Sequence, residues 1–428
     1  MKFKLKYVAA ATILALSTTA AQAGNPTSKL DVIVKLNANL AVSGHESNKS
    51  NAKNIAAGMG VGAVKFSYGS AFFGFAASVT EGRLNALRNN PNVASVEFDG
   101  EKSINKGKPG SGGGTPSPQV MPWGISRTGA DSNSNNGAGV HVYVLDTGLD
   151  SDHADLAGNI GNGMAFENCK GKDCSQPWDD DHGHGTHVGG TIGAIDNSQD
   201  VVGMAPGVTL HAGKICSSRG SCPNSSTIAA LDWVTSEVTA RGEAAVVNMS
   251  IGGGGSVTGT CTNNGFTGID SYHEAICNAR NAGVVVVVAA GNDSDNAENY
   301  TPAGYADTVV TVSSAKEGDD WNSFSNWGIQ SASWTSNNSA PVAIAAPGGS
   351  ILSLRKGGGT TTMSGTSMAS PHVAGAAALY LASNPQAANG SAFVNTRAAL
   401  LQSAESTNGF SNTSGDPHTE DFLDANNL

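Results

Sequence analysis

Gly283-Val284-Val285-Val286-Val287-Val288-Ala289 is a run with no polar face. A strand carries such a run only where both of its faces are buried, which is the situation inside a parallel sheet covered by helices. The surrounding sequence agrees. Apolar segments at 140–145, 209–215, 244–251 and 284–290 alternate with helical patterns that start at His184, run over 226–239 and lie near 272–281. Strand and helix in alternation predict an α/β fold, a doubly wound and mostly parallel sheet.

Upstream, KGKPGSGGGTPSP at 106–118 is too rich in Gly, Pro and Ser to pack, and marks a boundary within the 428 residues. Before it, residues 29–99 offer a strand at 31–36, an apolar stretch at 72–79, a helix at 81–88 and a strand at 93–98. These suffice for a small α+β unit with little core of its own. The charge changes sign across the same boundary. Residues 1–118 carry 13 Lys and Arg against 6 Asp and Glu, a balance of +7, whereas residues 119–428 carry 11 against 29, a balance of −18. So acidic a rear part argues against nucleic acid as the main partner.

All six cysteines, Cys169, Cys174, Cys216, Cys222, Cys261 and Cys277, lie in the acidic part. An even count confined to one segment fits an oxidised, exported domain. An export signal accompanies it: Lys2, Lys4 and Lys6 precede an apolar run at 8–16, and Ala21-Gln22-Ala23 offers small residues for cleavage. That run is too short to span a bilayer, and no other stretch reaches the roughly 20 apolar residues a span requires. The spacing of the cysteines in three close couples favours the pairs 169–174, 216–222 and 261–277.

In such sheets functional groups gather at the carboxyl ends of strands. Asp146 follows the segment 140–145, Asn292 ends Ala289-Ala290-Gly291-Asn292, and His184 sits in His182-Gly183-His184-Gly185-Thr186-His187-Val188. Ser367 sits in Gly365-Thr366-Ser367-Met368-Ala369-Ser370-Pro371, just before an apolar helix at 373–381. A serine hydroxyl is a weak nucleophile until an imidazole can take its proton, and the imidazole needs a carboxylate to fix its tautomer and stabilise its charge. Asp, His and Ser supply those roles.

The segments Asp146-Thr147-Gly148, His184-Gly185-Thr186-His187-Val188 and the eleven residues from Gly365 to Gly375, in this order, closely resemble those of the subtilisin-like serine proteases, the subtilases. Asp, His, Ser is the chain order of subtilisin itself. The resemblance runs from 119 to about 402. It implies a triad of Asp146, His184 and Ser367, with Asn292 and the Ser367 N–H donating to the oxyanion. It further implies that Ser250, Ile251 and Gly252 pair with the substrate backbone and that Gly291 faces them across the specificity pocket. Residues 31–101 resemble the inhibitory propeptide of these enzymes. The expected organisation is a signal peptide at 1–23, a propeptide at 24–105 with its core at about 29–101, a linker with the maturation region at 106–118 and a catalytic domain at 119–428. The expected activity is that of a secreted, monomeric serine endopeptidase that acts on polypeptides, is inhibited by its own propeptide and engages neither nucleic acid nor membrane.

The same resemblance implies one structural Ca²⁺, held by Gln119, Asp155, Asn197 and the carbonyls of Ile195, Gln199 and Val201, an oxygen set that suits a hard cation. Two rivals stand beside this reading. His182, His184 and His187 follow Asp179-Asp180-Asp181 at a spacing that Zn²⁺ could use in a metal-dependent hydrolase, although no His-Glu-x-x-His occurs and the serine motif would go unexplained. A catalytically inactive binding module on the same fold is the other, and three competent residues at the triad positions speak against it. The tail after 401 carries no readable motif.

Overall fold

In the first unit, Lys29–Leu36 (β1), His45–Gly58 (α1), Val64–Tyr68 (β2), Gly74–Thr80 (β3), Glu81–Arg88 (α2) and Val93–Phe98 (β4) follow one another in the chain. The four strands form an antiparallel sheet in the order β2-β3-β1-β4. Alternation along β1 sorts its side chains: Val32, Val34 and Leu36 pack with Ala52 and Ala56 of α1 and Leu84 and Leu87 of α2, whereas Ile33 faces the second unit. The computed structural model describes residues 28–104, 117–172, 174–328 and 341–428. The expected signal peptide and residues 106–116 of the linker lie outside these.

Glu101–Ile104 (β5) leads out of the first unit, and Trp123–Arg127 (α3) opens the second. There follow His141–Asp146 (β6), Ile160–Ala165 (β7), His184–Gly193 (α4), Thr209–Lys214 (β8), Ser221–Pro223 (β9), Asn224–Arg241 (α5), Ala245–Met249 (β10) and Ile251–Gly254 (β11). A hairpin of Thr260–Thr262 (β12) and Gly265–Thr267 (β13) precedes Ser271–Asn281 (α6), Val284–Ala289 (β14) and Tyr300–Thr301 (β15). Val310–Lys316 (β16), Asp320–Trp321 (β17), Ile344–Pro347 (β18), Ile351–Leu354 (β19), Thr360–Met363 (β20), Thr366–Ser383 (α7) and Ser391–Ser403 (α8) complete it.

The main sheet runs β17-β16-β14-β10-β6-β8-β7, with β18 beside β16, and only β17 pairs antiparallel. The valine run behaves as its composition requires. Val285 and Val287 pack with Val188 of α4 and Val373 of α7 on one face, while Val284, Val286 and Val288 pack with Leu231 of α5 and Ile276 of α6 on the other. Strand order turns at β6, which the chain leaves for β7 and β8 on one side and returns past for β10 on the other. Such a turn opens a crevice at the carboxyl ends, where β6 ends in Asp146. The segment expected as one strand over 244–251 is broken at Ser250, because β10 belongs to the main sheet and β11 to a second sheet of order β15-β11-β5-β9. The tail, which carries no motif, buries Phe422, Leu423 and Ala425 and runs against Ala345 of β18.

The two units meet through packing and capped helix ends. Ile33, Tyr68, Phe72 and Ala76 join the cluster of α5 and α6. The Asp99 carboxylate accepts from the Ser225 N–H at 2.8 Å and its hydroxyl at 2.5 Å, at the start of α5, where Pro223 provides no cap. Glu97 accepts from the N–H and hydroxyl of Ser271, the first residue of α6. In the reverse direction Asp232 of α5 accepts from the N–H groups of Gly69, Ser70 and Ala71 at 2.8, 2.5 and 2.6 Å. Carboxylates at helix N-termini are favoured by the orphan N–H groups and the helix dipole. Removing such a cap costs about 1–2 kcal/mol, so Asp99→Ala in a separately made polypeptide of residues 24–105 should weaken its binding to the second unit by roughly 5–30-fold, read as a dissociation constant.

Candidate active site

Asp146, at the end of β6, and His184, the first residue of α4, are both fully buried. The His184 Nδ1–H donates to Asp146 Oδ1 at 2.8 Å, and the Thr147 N–H donates to the same oxygen at 2.7 Å. This fixes the tautomer that leaves Nε2 as the acceptor. Burial alone would disfavour the imidazolium, but the charge and hydrogen bond of Asp146, with Asp180 behind, outweigh it and raise the His184 pKa above its ordinary 6.5.

Ser367 lies in the first turn of α7 and donates its hydroxyl hydrogen to the Ser250 carbonyl at 3.1 Å. His184 Nε2 has no hydrogen-bond partner among the described residues, so the serine–imidazole bond is not made in this conformation. Pro371 shapes the same turn. Having no N–H, it leaves the Ser367 carbonyl without its i+4 donor, and the Ser250 hydroxyl donates there instead at 2.9 Å. Asn248 donates to that hydroxyl at 3.0 Å and accepts from Ser370 at 2.7 Å, which ties β10 to α7.

Asn292 is oriented by its oxygen, which accepts from the Thr366 N–H at 2.9 Å and hydroxyl at 3.0 Å, leaving the amide hydrogens to point elsewhere. A Cβ on Gly365 would lie 3.4 Å from Asn292 Nδ2 and 3.6 Å from the Ser367 N. Two donors therefore converge on space that glycine keeps open, as an oxyanion requires. Gly291, at φ 110°, turns the chain beside them, and a Cβ there would meet the Asn326 amide at 2.3 Å. Across the cleft, Ile251 pairs with Ile104 and Gly252 with Ser103, while β9 flanks β5 on its other edge. A base, an acid, a hydroxyl and paired donors around a docked strand can carry out acyl transfer on a polypeptide.

The subtilase family profile matches residues 137–421, and that of peptidase inhibitor I9 matches residues 31–104. The chain belongs to the subtilase family. It carries that family's inhibitor-type propeptide, and the family is one of serine endopeptidases. The extracellular serine proteinase of Thermus sp. (strain Rt41A) is 40% identical over 333 residues, which span 75% of this chain and 69% of that protein. The alkaline serine exoprotease A of Vibrio alginolyticus is 36% identical over 321 residues, 73% of this chain but only 52% of its own length. A crystal structure of a cold-adapted subtilisin-like serine proteinase matches with a TM-score of 0.56 and 32% identity, covering 72% of this chain and 99% of that one.

Subtilases commonly bind structural calcium, and the residues expected for it in this subtilase cluster. Gln119 Nε2 lies 3.1 Å from the Ile195 carbonyl and 3.4 Å from that of Val201, and Asn197 Nδ2 lies 2.5 Å from the buried Asp155 carboxylate. The Gln199 N–H donates to Asn197 Oδ1 at 2.7 Å. Burial pushes Asp155 up to about 6. Amide orientations follow the hydrogen-bond network, and turning over the Gln119 amide would present its oxygen beside both carbonyls. One buried carboxylate among amide and carbonyl oxygens fits a Ca²⁺ site.

The zinc alternative fails on geometry. Among the described residues no three His, Cys, Asp or Glu side chains are grouped to hold a metal. His184 Nδ1 is taken by Asp146, and His187, pushed down to about 3 by burial and by His184, donates through Nε2 to the Ile351 carbonyl at 3.1 Å. The disulfides are 169–174, 216–222 and 261–277, as the spacing favours.

Sequence reasoning missed the supports. Asp180 accepts from the N–H groups of His182, Gly183 and Thr186 and from the Thr147 hydroxyl, holding the start of α4 against the Asp146 turn. Lys214, buried, donates to Asp181 at 2.5 Å, to the Thr147 carbonyl at 2.6 Å and to that of Cys216 at 3.2 Å. Thr147 and Ser370 lie inside the motifs and were findable there; Lys214 has no local signal. With His184 as base, kcat/KM should rise with pH through an apparent pKa above 6.5, because only the neutral imidazole accepts the proton. Asp146→Asn should cut kcat about 10,000-fold and move that limb to lower pH, as a pH–rate profile on a peptide ester would register.

Proposed function

We propose that this subtilase is made as a secreted preproenzyme that cuts itself and then hydrolyses polypeptides with Asp146, His184 and Ser367. The observation that carries the reading is β5, lodged as an extended strand between β11 and β9, its Ile104 opposite Ile251, the residue after the Ser250 whose carbonyl accepts from Ser367. A substrate chain would add to the same two edges. The Ser367 hydroxyl turns from the Ser250 carbonyl towards His184 Nε2, gives up its proton there, and its oxygen attacks the carbonyl carbon. Negative charge on the carbonyl oxygen is met by Asn292 Nδ2 and the Ser367 N–H. His184 then hands the proton to the leaving nitrogen, and water, deprotonated by the same imidazole, releases the acyl group. Asp146 stabilises the imidazolium in both halves.

Residues 24–105 act as an intramolecular inhibitor, 106–118 as the linker and 119–428 as a catalytic domain that works as a monomer. Secretion is supported by the signal-like segment at 1–23, the three disulfides and the extracellular naming of the Thermus relative. One Ca²⁺ is held by Gln119, Asp155, Ile195, Asn197, Gln199 and Val201, as a structural ion that pins the amino-terminal segment of the catalytic domain.

In this reading the cut follows residue 105, a reading supported by Ile104 opposing Ile251, the residue after the Ser250 whose carbonyl accepts from Ser367. Wild-type protein should therefore mature to an amino terminus at Lys106, whereas Ser367→Ala should accumulate as precursor; N-terminal sequencing of the secreted products decides, and a processed Ser367→Ala protein would refute self-cleavage. Saturating Ca²⁺ should raise the melting temperature of Ser367→Ala protein by about 5 °C, and Asp155→Asn should abolish most of that rise in calorimetry.

A further inference from the structure

Strand β9 has three residues, Ser221–Pro223, and lies at the outer edge of the second sheet, where its strand partner among the described residues is β5 alone. Ser221 pairs with Ser103, Cys222 with Lys102 and Pro223 with Glu101. The propeptide also serves the residues on either side. The Ile104 N–H donates to the Gly220 carbonyl at 3.0 Å, the Asn224 N–H donates to the Gly100 carbonyl at 2.8 Å, and Ser225 donates to Asp99. Once residues 24–105 leave, all of these bonds go with them.

Within the catalytic domain the described bonds to this segment are of two kinds. The Ser217 N–H donates to the Ser221 carbonyl and the Gly220 N–H to the Ser217 carbonyl, both at 2.8 Å, but that turn belongs to the same loop and moves with it. The Thr227 hydroxyl reaches the Pro223 carbonyl at 3.2 Å. The 216–222 disulfide, by contrast, ties β9 to the main sheet. Cys216 follows β8; its N–H and that of Ile215 both donate to the Asp146 carbonyl, at 3.1 and 2.9 Å, and its own carbonyl accepts from Lys214. Both cysteines are fully buried, in the cluster that holds Leu231 and Ile251. An edge strand so short has no ladder of its own to keep it extended once its partner is gone. Fixing one free backbone residue at the moment of binding costs roughly 5–30-fold in affinity.

With the cut after residue 105, the residues that face Ser221, Cys222 and Pro223 are the third, fourth and fifth before the broken bond. Resting on the protease reading above, we propose that Cys216 and Cys222 are positioning residues: their disulfide keeps β9 in place after the propeptide has left, as a ready-made edge that receives substrate three to five residues back from the cut. Neither cysteine meets the reacting atoms. The bond acts through β9, by sparing the substrate the cost of ordering it.

The test compares peptides with one common leaving group and an acyl side of two, three or five residues, on mature wild-type enzyme and on the Cys216→Ala, Cys222→Ala and double variants. In the wild type kcat/KM should rise about tenfold from two residues to five, through KM. In each variant that gain should shrink to about threefold or less, with each single variant losing as much as the double, because one bond can be lost only once. A wild type indifferent to length, a loss equal at every length, a loss confined to kcat, or single losses that add in the double variant would overturn the proposal. Should no variant fold, the wild type decides by itself: with Ser367 sulfonylated and the propeptide gone, NMR order parameters at Ser221 and Cys222 should match those of β10 at about 0.85, and values below about 0.7 would show β9 loose despite its tether and overturn the proposal. Cleavage that does not depend on length sinks the tether only; cleavage of no peptide sinks the protease reading beneath it.

Discussion

A helix that is apolar on every side has to be surrounded, and α7 is, by β10, β14, β16, β18 and α4. Packing at interior density leaves such a helix no freedom to slide. A Cβ on Gly375 would meet Met204 at 2.3 Å, so even the small residues along α7 mark fixed approaches. The consequence appears at its first turn. Thr366 holds Asn292 by its oxygen, Ser367 trades hydrogen bonds with Ser250, and Ser370 holds Asn248, so three residues around the nucleophile are positioned from one helix end. Pro371 contributes by what it lacks, since a residue with an N–H there would compete with Ser250 for the Ser367 carbonyl.

Much of this was legible in the sequence because it rests on short-range patterns. The valine run could only be a strand covered on both sides, and the close cysteine couples could close local loops without help from the fold. Asp146, His184 and Ser367 were found because glycines and motif residues surround them. What was not legible depends on distant partners. The break at Ser250 looks like ordinary strand, and only the existence of a second sheet gives β11 its own direction. Asp180 and Lys214 resemble surface charges until the fold brings Thr147, Asp181 and Cys216 around them. Phe422 and Leu423, in a tail without motif, are buried because β18 offers them an edge.

The contact between the two units is chemically unusual in its use of charge. Asp99 and Glu97 are held above their ordinary carboxylate range chiefly by burial, even though Ser225 and Ser271 donate to them and pull the other way. Asp232 and Glu274, on the opposite side of the contact, are raised for the same leading reason. A group with a raised pKa in the complex favours it most below its ordinary range, and that advantage is lost as pH rises through the raised value. All four therefore favour the contact most at acidic pH and cease to do so once pH has passed their raised values, so above that range a long-lived complex must draw on the apolar packing of Ile33, Tyr68, Phe72 and Ala76.

That local chemistry changes the meaning of the charge split along the chain. The +7 of residues 1–118 includes three lysines at 2, 4 and 6 and two at 106 and 108; the propeptide span 28–104 itself holds eight Lys and Arg against six Asp and Glu, only +2. Among the described residues direct ion pairs across the contact are correspondingly few: Lys35 with Glu274 at 2.5 Å, Lys65 with Glu167 at 3.9 Å, and the half-buried His45 beside Asp232 at 3.6 Å. A field from so small a net charge, screened within about 10 Å at ordinary salt, steers encounter weakly. Orientation must come from directional groups instead. Carboxylates on helix N-termini and backbone N–H groups supply it, because each accepts a bond only along a defined line, and together they leave β5 a single register between β11 and β9.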